Sequence, residues 1–485
     1  MSQRVDVAII GSGFSGSILA WILAKRGMRV ALIDASTHPR FAIGESSTPI
    51  ADTILRRLGQ QFKLPELCSL STWATWQKEH PDLACGRKRG FSYYFHRQGE
   101  PFAESNLGER SLLVAASPDD EVADTHWYRP DVDTYFWRRA VAAGALDLTG
   151  HRVHAVQPAG EGTWAVECGQ ASQVKVLAEW IIDASGRSSV LARLASAPSL
   201  VDRLRTCSRS MFAHYRGVAS WRSLAHRQGL ETKHDPFNPD DAAQHHLVGD
   251  GWVWMLRFNN GITSVGYTCG AEQPSRSPRS VSRAFPALAD LLRNASMVAP
   301  ESGPRSSGRL QSWFDPVVDS RRIMLPTAAL TLDPLHSTGI AHALAGVERL
   351  TAIIGCNSRA EQNELIERYR RSFLEETEFL DTLVNTAYEL IGDFDRFTAA
   401  CMLYFAGAIR CEERYQRGDV PTHLWNAEDR EFVAFVNGAS TRLRGGDEGA
   451  LEAIRAELTP WNTAGLMNPS CGNRYAYTAT KQPVS

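Results

Sequence analysis

The chain of 485 residues lacks several features that would mark common classes of protein. No apolar run reaches the roughly 20 residues that a membrane-spanning helix needs, and no charged and apolar leader precedes the first predicted strand. Its nine cysteines include no CxxC pair, which argues against a zinc site and against a dithiol redox motif. We therefore expect a soluble protein of the reducing cytoplasm, with no membrane contact and no bound metal.

Charge of one sign is also scarce. The formal net charge is −2, and no block of about five or six like charges occurs. The densest basic stretch, 87–89, is too short to act as an arm that binds nucleic acid. The absence of a net basic field favours a protein without a nucleic-acid partner.

What is present begins with a nucleotide-binding pattern at the N-terminus. An apolar run at 5–10 predicts a buried parallel strand, a helix is predicted over 17–26, and a second strand over 28–33. Asp34 closes the second strand, where its carboxylate can accept a hydrogen bond from a ribose 2′-hydroxyl. This order of strand, helix, strand and acid predicts a Rossmann-type unit.

The first strand leads into GSGFSG, a GxGxxG fingerprint. Gly11 permits a tight turn, Gly13 lets the backbone approach a pyrophosphate, and Gly16 lets the helix pack close to the strand. The free N–H groups at the start of the helix can then bind phosphate. The fingerprint stands at the start of a long chain and no second one lies inside another βαβ unit, so FAD is favoured over NAD and no NADPH domain is visible.

Two further stretches have the pattern of ligand-binding loops. RFAIGESSTP at 40–49 contains Gly44 and small hydroxyl residues, which let a backbone pass close to a flat ligand. The stretch 332–340 predicts a loop that leads into an apolar helix at 341–354. A helix N-terminus at that point would direct backbone N–H groups at an anion.

These motifs together resemble the flavin-dependent halogenases, of which the tryptophan halogenases are one branch, within the FAD monooxygenase superfamily. The matching stretches are GSGFSG at 11–16, RFAIGESSTP at 40–49 and DPLHSTGI at 333–340, supported by RPDVDTYF at 129–136 and IIDASGR at 181–187. The resemblance extends from the start of the chain to about residue 355.

The resemblance implies a definite chemistry. FAD, reduced by a separate flavin reductase, reacts with oxygen and a bound halide ion to give hypohalous acid, which passes through a tunnel to a lysine that presents the halogen to an electron-rich substrate. Halide binding is implied at the backbone of Thr338 and Gly339, in line with the anion preference of a helix N-terminus. The residues implied to contact FAD are Gly11, Gly13, Phe14, Ser15, Gly16, Asp34, Arg40, Ile43, Gly44, Glu45, Ser46, Asp333 and Ile340.

The lysine implied by the resemblance lies after the loop at 40–49, which we call the GES loop, and ahead of an aromatic-rich strand. Lys88 fits this position as the catalytic residue, because FSYYF follows it at 91–95. A lysine that enters an apolar cavity loses solvation, its pKa falls, and its amine can act as a nucleophile or as a hydrogen-bond donor. The alternative is that Lys88 belongs to a basic surface loop, since arginines flank it. Lys63 and Lys78 are weaker candidates that no aromatic strand follows.

Two motifs depart from the family pattern. The family's WxWxIP, which is thought to shield the flavin from the substrate, is here WVWMLR: Trp252 and Trp254 remain, but Ile-Pro has become Leu-Arg. We expect the side chain of Arg257 to be solvated. His336 stands where tryptophan halogenases have a glutamate, and it either fills a structural role or transfers protons near neutral pH. This favours a phenolic, pyrrolic or carrier-bound aromatic substrate over free tryptophan.

The predicted fold class is α/β, with a Rossmann-type FAD-binding domain, an inserted mixed β-sheet domain on the substrate side and a C-terminal helical region. Apolar residues at helical spacing over 379–391 support the helical region. The predicted ranges are 1–85, 125–200 and 310–355 for the FAD-binding domain, 86–124 and 201–309 for the substrate-side domain, and 356–485 for the helical region.

The leading hypothesis is a halogenase, dependent on reduced FAD and oxygen, that acts on a small aromatic substrate, either free or bound to a carrier protein. The altered WxWxIP motif favours the alternative of a flavin-dependent aromatic hydroxylase, because an opened wall would admit the substrate to the activated flavin. A prenyl-chain reductase and a flavin-binding protein without catalytic activity are further alternatives. The expected cofactors are FAD and a halide ion, and the expected protein partner is a flavin reductase.

Overall fold

The computed structural model describes residues 2–160, 162–169 and 173–476. Runs rich in β-branched and aromatic residues form the central strands, since these side chains pack well on a pleated surface. The strands are β1 (Ser2–Ile10), β2 (Val30–Asp34), β3 (Cys85–Lys88), β4 (Gly90–His96), β5 (Ser111–Ala115), β6 (Asp124–Trp127), β7 (Leu146–Thr149), β8 (Arg152–Gly160), β9 (Thr163–Gly169), β10 (Gln173–Asp183), β11 (Ser208–Arg216), β12 (Ala242–Val248), β13 (Gly251–Arg257), β14 (Ile262–Gly270), β15 (Ser296–Ala299), β16 (Arg305–Arg309), β17 (Ser312–Trp313), β18 (Val317–Asp319), β19 (Arg322–Met324), β20 (Leu330–Thr331) and β21 (Arg474–Tyr475).

Helices alternate with the strands at first and dominate the last third of the chain. Two long C-terminal helices begin at side-chain caps, where Ser358 accepts from the Glu361 N–H and Asp429 accepts from the Phe432 N–H. The helices are α1 (Phe14–Lys25), α2 (Pro49–Phe62), α3 (Pro65–Ser69), α4 (Trp73–Glu79), α5 (Arg129–Ala142), α6 (Val190–Leu194), α7 (Trp221–Arg227), α8 (Pro278–Ser282), α9 (Pro286–Leu292), α10 (Pro326–Ala329), α11 (Gly339–Ile354), α12 (Arg359–Glu389), α13 (Phe394–Gln416), α14 (Arg430–Gly445) and α15 (Ala450–Glu457).

An eight-stranded sheet carries the nucleotide fold. Its order is β18-β19-β10-β1-β2-β7, and β9 and β8 continue from β10 as an antiparallel hairpin. β1 pairs in parallel with both β2 and β10. The side chains at 7–10 are all buried, which explains why this strand is an unbroken apolar run. The GxGxxG turn follows its carboxyl end and leads into α1, so the predicted Rossmann-type unit is confirmed.

A second, mixed sheet of nine strands has the order β15-β11-β14-β13-β12-β4-β5-β21, with β16 beside β11. β12 and β4 are parallel, whereas β11, β14, β13 and β12 run antiparallel to one another in turn. Trp254 on β13 lies over Gly266 on β14, where a Cβ atom would come within 2.1 Å of the indole ring. The glycine therefore makes room for the tryptophan, and the predicted mixed sheet is confirmed.

Helices α12 to α15 make up most of the C-terminal region. The apolar face that the spacing over 379–391 predicts is buried, with Phe379, Leu383 and Val384 in the core. The sequence predicts a helical region here, but the region also contains a strand, because β21 pairs in parallel with β5 and extends the mixed sheet. The last part of the predicted range, 477–485, lies outside the described residues.

The strands of the eight-stranded sheet fall within the ranges predicted for the FAD-binding domain. The strands of the mixed sheet, apart from β21, fall within the ranges predicted for the substrate-side domain. The division of the chain into these domains stays a prediction. None of the helices within the described ranges combines the length and the apolar composition that a bilayer crossing requires.

Candidate active site

A cavity of about 880 Å³ is lined by residues of both large sheets and of the loops that follow β1, β2 and β10. Within the described part of the chain, two predicted site residues, Gly16 and Lys88, do not line it. All the other predicted cofactor and halide residues do, namely Gly11, Gly13, Phe14, Ser15, Asp34, Arg40, Ile43, Gly44, Glu45, Ser46, Asp333, Thr338, Gly339 and Ile340.

The three glycines of the fingerprint have different roles. Gly11 has a φ of +112°, and a Cβ atom there would lie 2.3 Å from the carbonyl oxygen of Ala184. A Cβ atom on Gly16 would lie 2.1 Å from the Gly11 carbonyl oxygen. At Gly13, by contrast, the nearest atom to such a Cβ is Nη2 of Arg129, at 3.7 Å. Gly11 and Gly16 are therefore required by packing, whereas Gly13 leaves space for a ligand.

The N-terminus of α1 opens at this space. Gly13 is its N-cap, no side chain caps it, and its first turn contains no acidic residue. The first N–H groups of a helix have no partner inside the helix, and together with the helix dipole they attract an anion. The cavity, the uncapped helix and the absence of a side chain at Gly13 thus fit the pyrophosphate of FAD.

Arg129 organises the loop that faces this helix, a role that the sequence alone did not assign. Its guanidinium group donates to both carboxylate oxygens of Asp133 at 2.8 Å. It also donates to the carbonyl oxygens of Ile43, at 2.6 Å, and Gly44, at 3.1 Å, and lies over the ring of Phe14. One buried cation therefore holds the start of the GES loop against the fingerprint.

Asp34 lies at the end of β2 and its carboxylate is held by the protein. Oδ2 accepts from the Ser12 N–H at 2.8 Å, and Oδ1 accepts from the Ser36 N–H at 2.8 Å. Arg40 forms an ion pair with it at 2.6 Å. Burial opposes ionisation of Asp34, but the hydrogen bond and the charge of Arg40 outweigh it, so the pKa lies below its usual value. A carboxylate in this state can accept a further hydrogen bond from a ribose hydroxyl.

A histidine that the motifs did not reveal binds the GES loop through the carboxylate of Glu45. His214 on β11 places Nε2 2.7 Å from Oε1 of Glu45, and both side chains are buried. The Glu45 carbonyl oxygen also accepts from the Trp127 N–H at 2.6 Å. The backbone of Ser46 forms an isolated antiparallel β-bridge with His126 on β6. The carboxylate of Glu45 is therefore engaged within the protein, and its contact with FAD stays a prediction.

Asp333 at the start of the DPLHSTG loop is likewise engaged within the protein. Its Oδ1 accepts from the Leu335 N–H at 3.0 Å. Its Oδ2 accepts from the Ser208 hydroxyl at 2.7 Å and from the Tyr388 hydroxyl at 3.0 Å. Burial raises the pKa of Asp333 to about 6, although these hydrogen bonds oppose the rise. Contact between this residue and FAD stays a prediction.

The loop then turns into α11 at the predicted halide residues. Ser337 has a φ of +55°, Thr338 is the N-cap of α11, and no side chain caps the helix. Among the described residues, no side chain and no neighbouring segment lies within 4 Å of the position that a Cβ atom on Gly339 would take. An uncapped helix N-terminus that opens into the cavity can donate N–H groups to a halide ion.

Lys88 lies at the end of β3 and is fully buried, so it does not belong to a surface loop. Its ammonium group donates to the carbonyl oxygen of Ser47, directly after the GES sequence, and lies 4.0 Å from the ring centroid of Phe91. The two weaker candidates, Lys63 and Lys78, are exposed.

A second, smaller pocket of about 20 Å³ lies on the side of Phe91. Its lining is mostly aromatic and aliphatic, and one carboxylate, that of Glu412, lines it as well. Phe91, whose ring contacts the ammonium group of Lys88, lines this smaller pocket. Within the described part of the chain, Lys88 itself does not line the large cavity. Tyr404 and Phe405 line the smaller pocket together with Phe91.

Three buried histidines surround this region and remain neutral. Burial lowers the pKa of His126, His245 and His336 to about 3 each. The charge of Lys88 lowers the pKa of His126 and His245 further. Neither ring nitrogen of His336 hydrogen-bonds to another of the described residues, although its ring stacks on Tyr404. A buried polar group without a protein partner is uncommon and points to a solvent or ligand partner.

The two tryptophans of the altered motif line the cavity, and both are buried. The indole N–H of Trp252 donates to the Tyr388 hydroxyl at 2.8 Å, and its ring lies 5.8 Å from that of Trp254. The expectation that Arg257 is solvated is wrong, because its guanidinium group lies 2.9 Å from Oδ1 of Asp240 and donates to the Val218 carbonyl oxygen at 3.1 Å. An acid 17 positions earlier in the chain provides this partner, which the local pattern did not reveal.

Comparison with known proteins agrees with this geometry. A family model described as FAD dependent oxidoreductase matches residues 6–345. The chain is 30% identical over 407 residues to the tetracycline 7-halogenase of Kitasatospora aureofaciens, and the match covers 79% of this chain and 69% of the relative. It is 27% identical over 427 residues to the monodechloroaminopyrrolnitrin halogenase PrnC of Pseudomonas fluorescens, covering 84% of this chain and 72% of the relative.

A further relative is a 1H-pyrrole-2-carbonyl-[peptidyl-carrier protein] chlorinase of Pseudomonas fluorescens, 26% identical over 352 residues, with 70% of this chain and 73% of the relative covered. Among solved structures, halogenase PltM in complex with phloroglucinol and FAD superposes with a TM-score of 0.83 at 24% identity, covering 96% of this chain and 98% of that chain. That likeness shows the fold. The chain belongs to the FAD-dependent oxidoreductases and, among them, to the flavin-dependent halogenases.

Proposed function

We propose that this protein transfers a halogen to an electron-rich aromatic substrate, with reduced FAD, oxygen and a halide ion. The observation that carries the proposal is the position of Lys88, which is fully buried between the carbonyl oxygen of Ser47 and the ring of Phe91. Lysine is almost never fully buried unless it is paired, so full burial places strong demands on the surroundings of this side chain. Here it lies between the loop that lines the cavity and the ring that lines the second pocket.

The cavity would hold FAD. Its volume of about 880 Å³ suits a large cofactor, and Gly13 with the N-terminus of α1 would bind the pyrophosphate. The N–H groups at Thr338 and Gly339 would bind the halide ion. When it is bound and reduced, FAD supplies the reducing equivalents with which oxygen converts halide into hypohalous acid.

Lys88 would receive the hypohalous acid and present its halogen to the substrate. It would do so either as a hydrogen-bond donor to the acid's oxygen or as an amine that forms an N–halogen bond while water is released. The neighbouring His126 and His245 stay neutral, because burial lowers the pKa of each to about 3. His126 and His245 therefore place no positive charge beside Lys88.

The substrate would bind in the pocket beside Phe91. That pocket has room for about one water molecule, so aromatic side chains such as Tyr404 and Phe405 must move before a substrate ring can enter. A phenolic or pyrrolic substrate, free or bound to a carrier protein, fits the chemistry. The phloroglucinol in one similar structure and the carrier-bound pyrrole of one relative support this class.

A separate flavin reductase would supply reduced FAD, since the sequence contains no second nucleotide-binding fingerprint. We place the reaction in the cytoplasm. None of the nine cysteines, all of which lie within the described ranges, forms a disulfide, which fits a reducing compartment.

The test is reconstitution of the purified protein with FAD, a flavin reductase, NADH and oxygen, in bromide or in chloride, with a panel of phenols and pyrroles. The proposal predicts a product with one halogen in place of one hydrogen, whose formation depends on halide. A product that gains one oxygen regardless of halide would instead show an aromatic hydroxylase, the alternative that the altered tryptophan motif favours.

A further inference from the structure

A chain of hydrogen bonds links the first tryptophan of the altered motif to a helix of the C-terminal region. The indole N–H of Trp252 on β13 donates to the hydroxyl oxygen of Tyr388 on α12, at 2.8 Å. The Tyr388 hydroxyl donates in turn to Oδ2 of Asp333, at 3.0 Å. The Tyr388 hydroxyl accepts from the indole and donates to the carboxylate, which can only accept. The hydrogen bonds therefore all run from Trp252 toward Asp333.

The carboxylate of Asp333 joins α12, β11 and the loop that contains it. Besides Tyr388, it accepts from the hydroxyl of Ser208 on β11 and from the backbone of its own loop at Leu335. Gln311 donates to the hydroxyl of Ser208 at 2.8 Å, which orients that hydroxyl toward the carboxylate. The carboxylate thus fixes Tyr388 relative to the loop that leads to the halide residues. A fully satisfied buried network of this kind rigidifies the groups that it joins.

Trp252 is one of three neighbouring rings that lie between the cavity and the pocket beside Lys88. Its ring centroid lies 4.9 Å from that of His245, which lies 6.1 Å from that of Phe91. Trp252 and His245 line the cavity, whereas Phe91 lines the second pocket. We call Trp252, His245 and Phe91 the ring wall. Trp252 is at the cavity end of this wall, and its indole N–H is held by the hydrogen bond to Tyr388.

We propose that Tyr388 is a positioning residue that fixes Trp252 in the ring wall and thereby keeps the oxidising chemistry of the cavity coupled to Lys88. The hydroxyl group of Tyr388, on α12, holds the indole of Trp252 through its hydrogen bond. The inference rests on the proposed function for its role in turnover, but the positioning of Trp252 is a property of the protein itself.

The first experiment tests the positioning without turnover. The protein is labelled with ¹⁵N-tryptophan, and the indole signal of Trp252 among the 13 tryptophans is identified by its loss in Trp252→Phe. In Tyr388→Phe the indole loses its acceptor, so its signal should shift and its N–H should exchange with solvent about fivefold faster. Tyr369→Phe is the matched control, because Tyr369 is a buried tyrosine of the same helix whose hydroxyl donates to the Met324 carbonyl oxygen at 2.7 Å. An unchanged Trp252 signal in Tyr388→Phe would overturn the proposal.

The second experiment measures coupling during turnover. Hydrogen peroxide released per NADH consumed should rise about threefold or more in Tyr388→Phe and stay at the wild-type value in Tyr369→Phe, with FAD affinity equal in all three proteins. Equal peroxide release in Tyr388→Phe and wild type would overturn the coupling role. If the wild-type protein halogenates no substrate, the proposed function fails, while the indole signal and the peroxide ratio still decide whether Tyr388 positions the ring wall.

Discussion

His336 lies flat on Tyr404, with 4.3 Å between the ring centroids and 6° between the ring planes. The Tyr404 hydroxyl also donates to the carbonyl oxygen of His336, at 2.9 Å. The loop that leads to the predicted halide residues is therefore tied to α13 at His336 and to α12 at Asp333, where Tyr388 binds. The C-terminal helices thus help to build the candidate site.

Tyr404→Phe should separate the two interactions. The substitution keeps the stacked ring but removes the hydrogen bond to the His336 carbonyl oxygen, which lowers the free energy of unfolding by about 1 kcal/mol. Tyr404→Ala also removes a buried ring and should cost about 3–5 kcal/mol. Urea denaturation measures both, and equal losses in the two variants would contradict the contribution of the stack.

The fingerprint glycines should fail in different ways. Gly13 has a φ of −66°, and the nearest described atom to its Cβ position is 3.7 Å away, so Gly13→Val should fold yet lose FAD binding, because its side chain would occupy the place of the pyrophosphate. Gly11→Ala should instead destabilise the protein by about 2 kcal/mol or more, because its φ is +112° and its Cβ atom would meet Ala184. Flavin fluorescence titration and thermal unfolding distinguish the two results, and undiminished FAD affinity in Gly13→Val would refute the assigned site.

Bulk at Gly339 should affect the halide before it affects the cofactor. The Cβ position is open, so Gly339→Val should fold, but its side chain would crowd the N-terminus of α11. We expect the halide concentration for half-maximal product formation to rise about tenfold while the dissociation constant of FAD stays unchanged. Gly392→Val is the control and should change neither, because the described residues around its Cβ position also leave 4 Å free. Parallel loss of both affinities in Gly339→Val would leave the halide site unsupported.

Buried neutral histidines should make the protein sensitive to acid. Burial lowers the pKa of His336 to about 3, whereas a histidine in the unfolded chain titrates near about 6.5. Below that value the unfolded chain binds the additional proton, so the stabilisation is fully present above about pH 6.5 and is lost progressively as the pH falls toward 3.

His336→Phe keeps a ring on Tyr404 and removes one of these titrations. The slope of unfolding free energy against pH between about 6 and 5 should fall by about 1.4 kcal/mol per pH unit. His154→Gln, at an exposed histidine of β8, is the control. Urea denaturation at several pH values gives the slopes, and the same slope in His336→Phe and wild type would contradict the buried neutral state.

The local motifs predicted what depends on nearby residues. The βαβ unit, the turn at Gly11 and the helix after Thr338 follow from residue types within one or two turns of chain, and the resemblance identified Lys88 from the strand that follows it. The structure adds that Lys88 is buried, which chooses between the two environments that its flanking arginines left open.

The partners that hold the site could not be predicted in this way. Arg129 reaches the Ile43 carbonyl oxygen across 86 positions of sequence, and His214 reaches Glu45 across 169. Such contacts depend on how the two sheets and the C-terminal helices pack, and no periodicity in the sequence specifies them. Arg257 shows the same limit, because its partner Asp240 lies on a separate segment.

The central claim is that Lys88 carries the halogen from the cavity to the substrate. Its most direct test is Lys88→Met in the reconstituted reaction, with monochlorodimedone to trap free hypohalous acid and mass spectrometry to follow the aromatic product. Lys78→Met, at an exposed lysine, is the matched control. The account predicts that Lys88→Met still forms hypohalous acid but yields about 100-fold less halogenated product, while the control behaves as wild type. Undiminished product in Lys88→Met would contradict the account and show that another group delivers the halogen.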